Sequence, residues 1–129
     1  MAAGALRSEF LCSLTGLVAP PREIGTTPRG TRRFYPAIGG SFEGPRLRGE
    51  VLPDGGDWLL MRPDGVLEQD VRITLKTDNG ASIYVRYAGV RHGPPEVMAL
   101  NKILAVGVGV GVGERLPPNI VRCSIFEIL

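Results

Sequence analysis

The 129-residue chain has little of what usually assigns a chemistry outright. It holds two cysteines, Cys12 and Cys123, and a single histidine, His92. That excludes a disulfide framework and any metal centre assembled from a cluster of His and Cys ligands. Aromatic residues make up 6%, and 15 basic against 13 acidic residues leave a net charge of +2. Nucleic-acid binding needs a basic stripe and stacking platforms, and neither is present. Arg22, Arg29, Arg32 and Arg33 cluster in a Gly/Pro/Thr-rich stretch without such platforms, and read as a solvated or partner-facing loop. No apolar run reaches the roughly 20 residues of a membrane-spanning helix. The run Phe10 to Ala19 follows Arg7 as a signal core would, but Glu9 sits at its edge, Ser13 and Thr15 interrupt it, and Pro20-Pro21 follow. It reads as a first strand, so the default expectation is a cytoplasmic protein with no membrane association.

What is abundant is turn chemistry: 18 glycines and 11 prolines in a chain that is 43% hydrophobic and 22% charged. Such a composition is globular. The expected fold is all-β, a small antiparallel β-barrel with Gly/Pro-rich turns. Residues 1–9 are expected to be a disordered terminus and 10–129 a single domain. The expected strands are Phe10–Val18, Phe34–Ile38, Ser41–Leu52 interrupted at Gly44-Pro45, Trp58–Arg62, a hairpin within Val66–Gly89, Lys102–Val112 and Ile120–Leu129. Residues 22–33 are expected to be a long loop, Gly39-Gly40 to break or bulge a strand, and Glu96–Asn101 to form a helical turn. The two cysteines read as buried free thiols, brought near each other if the barrel closes through its terminal strands.

The hairpin carries the strongest pattern. Val71, Ile73 and Leu75 alternate with Glu68, Asp70, Arg72 and Thr74, and Ile83, Val85 and Tyr87 alternate with Tyr84 and Arg86. A two-residue Asn79-Gly80 turn would pair Leu75 with Tyr84 and mix the faces. A three-residue Asp78-Asn79-Gly80 turn pairs Leu75 with Ile83, Thr74 with Tyr84 and Arg72 with Arg86, with Gly80 left-handed. The polar face then reads in one of two ways. It is a solvated surface laced with weak ion pairs, or it points into a barrel lumen where paired carboxylates and guanidiniums do acid–base work. Arg72 opposite Arg86 requires a carboxylate between them, Asp70 or Glu68, or an anionic ligand group. Trp58 either caps the core or walls a ligand site. The glycines at 107, 109, 111 and 113 lack the spacing and following helix of a dinucleotide fingerprint, and read as a strand face open to close approach.

The blocks Gly39-Gly40-Ser41-Phe42-Glu43-Gly44-Pro45, Gly56-Asp57-Trp58, Arg62-Pro63-Asp64-Gly65 and Glu68 to Arg91 resemble the domain-of-unknown-function 3237 (DUF3237) family. The resemblance implies a small antiparallel barrel with a polar cluster of Glu43, Asp57, Trp58, Glu68, Asp70, Arg72, Tyr84 and Arg86. It tilts the hairpin's polar face towards the lumen. Family members run from the Gly-Pro-Pro-Glu-Val-Met segment through a further strand before an Asn like Asn101, whereas here Ala99 leads directly into Leu100-Asn101. One strand and its loop are therefore expected to be missing, leaving an open edge or forcing re-closure.

The leading expectation is a barrel that binds a small oxygenated metabolite and acts as a cofactor-free isomerase, cyclase or lyase. Asp70 or Glu68 would be the base, Arg72 and Arg86 would stabilise developing negative charge, and Tyr84 would donate or orient a proton. Glu43, Asp57, Trp58 and Asn101 would contact ligand. The other readings are a non-catalytic small-ligand module and a truncated, inactive product. The partner expected is a small organic metabolite, with no nucleic acid, no membrane, no metal and no cofactor, and with a homo-oligomer left open.

Overall fold

The computed structural model describes residues 4–5, 7–93, 102–106, 109–116 and 119–129. Among these it is all strand: β1 (Ser8–Val18), β2 (Arg22–Thr27), β3 (Gly30–Glu43), β4 (Arg48–Val51), β5 (Gly56–Met61), β6 (Leu67–Thr77), β7 (Ser82–Arg91), β8 (Lys102–Val106), β9 (Gly109–Leu116) and β10 (Ile120–Ile128). Every pairing is antiparallel. The order β1-β10-β9-β8-β7-β6-β4-β3 returns to β1 through a direct β1–β3 ladder, with β5 bridging β3 and β6. The sheet is thus closed into a barrel. The expected all-β antiparallel barrel is the fold found.

β1 makes the closure. Its residues pair β10 on one side, from Ser8↔Ile128 to Leu17↔Ile120, and β3 on the other, from Ser13↔Glu43 to Val18↔Ala37. Ser8 and Glu9, expected in the disordered terminus, belong to this strand, and Leu129 N–H donates to the Arg7 carbonyl at 3.0 Å. β3 is long enough to serve two neighbours: residues 31–36 pair β5, and residues 41–43 pair β4. Between these halves the β1 ladder skips Ile38, so the Gly39-Gly40 pair bulges the strand without ending it.

The register of the β6–β7 hairpin is the one expected from its faces: Leu75↔Ile83, Thr74↔Tyr84 and Arg72↔Arg86. Thr77 N–H donates to the Ala81 carbonyl at 2.9 Å, closing a loop of Asp78, Asn79 and Gly80, whose Gly80 has φ +90°.

Three strand expectations are corrected: Ser41–Leu52 is not one interrupted strand but the end of β3 and then β4, folded back so that Ser41 pairs Glu50. Residues 22–33 are not a loop but the β2–β3 ribbon, turned at Pro28-Arg29 and paired from Arg22↔Phe34 to Thr27↔Gly30. β2 lies outside the closed barrel and is almost wholly exposed, so neither face demands apolar residues and no hydrophobic period announces it. Lys102–Val112 is not one strand but parts of β8 and β9, folded back so that Val106 pairs Val110. Alternating valine and glycine specifies register weakly and is equally compatible with either arrangement. The expected helical turn at Glu96–Asn101 lies outside the described residues. β7 continues into β8 over Ala88↔Val106, Gly89↔Ala105 and Val90↔Leu104, so the sheet is re-closed at the place where a strand was expected to be missing.

One end of the barrel is filled by an apolar core. Phe42, Cys12, Leu14, Val51, Ile73 and Leu75 are buried there, with Ile83, Val85 and Ile125 packed against them. Both cysteines are free thiols; they sit on paired strands, with Cys12 opposite Ile125 and Cys123 opposite Leu14.

The closing ladder predicts one sharp sensitivity. Gly40 has φ +137°, and a Cβ there would collide with the Thr15 carbonyl of β1. Gly40→Ala is expected to lower unfolding stability by at least about 2 kcal/mol in urea titration, because strain and collision act together. Gly65→Ala, in an open turn with nothing within 4 Å of the added methyl, is expected to cost only about 1 kcal/mol.

Candidate functional site

Because side chains alternate across a strand, burying Val71, Ile73 and Leu75 sends their polar neighbours outward. The structure places Glu68, Asp70, Arg72, Tyr84 and Arg86 on the outer surface. The Arg72 and Arg86 side chains are 49% and 64% exposed, and Tyr84 is 69% exposed. The lumen-facing reading of this face is corrected accordingly. Asp70 does lie between the two arginines, 3.6 Å from Arg72 and 3.9 Å from Arg86. Glu68 lies 3.5 Å from Arg62. These are solvated ion pairs, worth about 0–1 kcal/mol each.

Trp58 is on the same outer face, its ring centroid 4.5 Å from that of Phe34 at a tilt of 44°, with the Arg72 guanidinium 6.0 Å from its ring. Glu43 is exposed at the end of β3, where it pairs Ser13 and Arg48 across the ladders. Neither lines the barrel interior. Asn101 lies outside the described residues. Of the nine residues expected in the site, Asp57 alone is placed in the lumen by the described structure.

The lumen itself holds a cavity of about 330 Å³ above the apolar core. That is at the small end of the range for small-molecule sites. Most of its lining is apolar, and Leu17 and Met61, 36% and 37% exposed, mark its mouth. Against this background stand six polar side chains among the described residues: Arg33, Tyr35, Asp57, Gln69, Tyr87 and Arg91.

Ladder register puts these groups at defined heights. Tyr35 pairs Asp57, Asp57 pairs Val71, and Val71 pairs Tyr87, so two phenols and a carboxylate share one level around the wall. Gln69 is one inward-facing position closer to the mouth, opposite Gly89, and Arg91 is at the rim opposite Leu67. Arg33, opposite Leu59, is the corresponding step up β3.

Several contacts fix this set. The β5–β6 ladder runs through Asp57↔Val71 and resumes at Leu60↔Glu68. Between them Asp57 Oδ1 accepts the Asp70 backbone N–H at 3.0 Å. This holds the Asp57 side chain at the wall by a charge-assisted bond. Arg33 Nε lies 2.8 Å from Glu23 Oε1 on β2, and hydrogen bonds to Glu23 and Tyr35 hold its guanidinium protonated above the usual arginine range. The Gln69 Oε1 atom is buried and has no hydrogen-bond partner among the described residues. A buried unpartnered acceptor in a cavity wall is a place for a ligand donor.

Burial pushes the Tyr87 phenol well above its usual 10.0, with smaller contributions from Cys123 and from the Asp57 carboxylate. Burial likewise raises the Cys123 thiol, offset in part by its hydrogen bond from Tyr87. Tyr87 is therefore a neutral phenol throughout the physiological range, able to donate a proton or a hydrogen bond. No group of three His, Cys, Asp or Glu side chains among the described residues is arranged to hold a metal.

Sequence reasoning passed over Arg33, Tyr35, Gln69, Tyr87 and Arg91. The available signal was phase: Gln69 and Tyr87 stand in register with the apolar sets Val71/Ile73/Leu75 and Ile83/Val85, as polar exceptions on an inward face.

A family model described as "Protein of unknown function (DUF3237)" matches residues 6–102. The chain belongs to this family. It is 33% identical over 93 residues to a UPF0311 protein of Rhodopseudomonas palustris strain TIE-1, covering 72% of this chain and 61% of the relative. A UPF0311 protein of Clostridium acetobutylicum is 38% identical over 112 residues, 86% of this chain and 65% of the relative. The match thus spans less than two thirds of those relatives' length. PR-toxin biosynthesis cluster protein 7 of Penicillium roqueforti is 36% identical over 77 residues, 46% of this chain and 40% of that protein.

Several solved structures share the fold. A conserved protein of unknown function from Rhodopseudomonas palustris superposes with TM-score 0.84 at 23% identity, covering 98% of this chain and 100% of the other. A β-barrel-like protein from Acinetobacter baumannii gives 0.78 at 28%, over 98% and 99%. An enzyme from Penicillium herquei gives 0.70 at 18%, over 98% of both chains. No helix among the described residues is long and apolar enough to cross a membrane.

The buried phenol predicts an alkaline limit with a definite sign. In the unfolded chain Tyr87 ionises near 10, whereas in the folded chain it stays protonated to a higher pH. Its contribution to stability is complete below about pH 10 and is lost as pH rises above it, by about 1.4 kcal/mol per pH unit. Urea midpoints of Tyr87→Phe are expected to fall less steeply than wild type between pH 10 and 11. Parallel slopes would show that the phenol is not held neutral.

Proposed function

We propose that the barrel lumen binds a small, largely apolar, oxygenated metabolite and moves a proton on it without a cofactor, in an isomerisation, cyclisation or elimination. The observation that carries this reading is the single level of Tyr35, Asp57 and Tyr87 inside a mostly apolar cavity. Asp57 is the general base, restrained by the Asp70 N–H and close enough to Tyr87 for its charge to act on that phenol. Tyr35, and Tyr87 once its single O–H turns from Cys123 to the ligand, are the hydrogen-bond donors for an oxyanion as charge develops on a carbonyl or enol oxygen. Arg33 positions Tyr35 through their hydrogen bond. Gln69 Oε1 accepts from a ligand hydroxyl. The low dielectric of the cavity strengthens each of these interactions.

Two relationships support the metabolite reading. One relative is named for a toxin biosynthesis cluster, and one structure of this fold is an enzyme. Relative to the expectation from the hairpin, the roles of base and donor move from Asp70 and Tyr84 on the outside to Asp57 and the two phenols within.

The test is proton exchange at an enolisable carbon, followed by NMR with 1-tetralone in deuterated buffer. Wild type is expected to accelerate exchange, and Asp57→Asn to lose at least about 100-fold of that acceleration while still binding the ketone. Asn retains an oxygen for the Asp70 N–H, so this change removes the base with little disturbance to the wall. Asp70→Asn is expected to exchange as wild type does. Binding without exchange in wild type would make the protein a non-catalytic binding module. Exchange undiminished in Asp57→Asn would remove Asp57 from the mechanism.

A further inference from the structure

We propose that the ligand is a small organic carboxylate, its apolar body filling the inner end of the cavity and its single anionic head held at the mouth by Arg33 and Arg91. This rests on the lumen being the binding site and adds the charge and orientation of what enters it. The described lining carries two guanidiniums near the opening and one carboxylate, Asp57, a level deeper. Arg33 and Arg91 stand on β3 and β7, on either side of the wall segment that carries Leu59, Leu67 and Gln69. Guanidinium forks match a carboxylate in geometry as well as charge, because parallel N–H donors meet both oxygens.

The counterion Arg33 has in the structure is a weak competitor. Glu23 belongs to β2, outside the closed barrel, and the pair is 37% and 58% exposed. Such solvated pairs contribute little. A ligand carboxylate in the partly enclosed mouth meets the same guanidinium at a lower dielectric, where the attraction is larger. Arg33 also has donors beyond the Nε that faces Glu23.

The rest of the lining fixes which end goes in first. Leu14, Val51 and Ile73 at the inner end offer a charge no partner, and burying an unpaired carboxylate there is prohibitive. Asp57, below the arginines, repels a second negative group. The cavity is thus graded from apolar floor, through a hydrogen-bonding level, to a cationic mouth. One anionic group at one end of an apolar molecule fits that gradient.

Isothermal titration with 2-naphthoate and 2-naphthamide tests this, since the two match in shape and differ in charge. Naphthoate is expected to bind wild type at least tenfold more tightly than naphthamide, and added salt is expected to weaken naphthoate alone. Arg91→Gln and Arg33→Gln are each expected to weaken naphthoate far more than naphthamide, and so to lose most of the preference. Naphthamide binding also reports that each variant is folded; if Arg33→Gln fails that control, Arg91→Gln and the salt dependence decide. Equal affinity for the two compounds, or a preference that survives both substitutions, would overturn the carboxylate assignment and leave the lumen site standing. Binding of neither compound would overturn both.

Discussion

The structure depends on β1 serving two strands at once. By pairing β10 along one edge and β3 along the other, it converts an open sheet into a closed one. Closure removes the free edges that a sheet otherwise exposes. It also creates an inside, and from that point strand alternation sorts every side chain into wall, floor or surface. At the bulge at Ile38 and the bend through Gly39-Gly40, β3 changes partners on both edges, from β2 to β1 on one and from β5 to β4 on the other.

The sorting decides the chemistry. On β6, the inward set is Leu67, Gln69, Val71, Ile73 and Leu75, and the outward set includes Asp70, Arg72 and Thr74. The outward charges satisfy one another in solvent, where such pairs are energetically small. The inward exceptions, Gln69 on β6 and Tyr87 on β7, lie where water is scarce, so each polar atom needs a partner and responds strongly to its neighbours. The raised ionisation of Tyr87 is a direct consequence. A polar group within an apolar wall is therefore perturbed more by its neighbours than one in the denser, solvated cluster outside.

Much of the fold was legible in the sequence because its causes are local. Alternation placed β6 and β7, and the need to keep Leu75 opposite Ile83 selected the three-residue turn at Asp78–Gly80. β2 was not legible, because a ribbon outside the barrel buries no face and leaves no period. The fold-back between β8 and β9 was hidden by a valine–glycine repeat that suits one long strand or two short ones. The site was partly legible. Charge density drew attention to Asp70, Arg72 and Arg86, yet charge on the face opposite Val71, Ile73 and Leu75 is what solvent exposure itself favours. The informative residues were those that broke the inward pattern: Gln69 in phase with Val71, Tyr87 in phase with Val85, and Asp57 in phase with Leu59. Placing Arg33 and Tyr35 beside them required the β3–β5 ladder, which joins segments more than twenty residues apart and has no local signature.

The central claim is that ligand chemistry takes place inside the barrel and not on the charged outer face. Methyl-resolved NMR during titration with 1-tetralone tests it most directly. The methyls of Leu59, Val71 and Val121, which line the cavity, are expected to shift together and saturably, while exposed Ile38 and Val90 stay in place. Saturable shifts confined to the outer face around Trp58 and Tyr84, with the lumen methyls unmoved, would contradict the account.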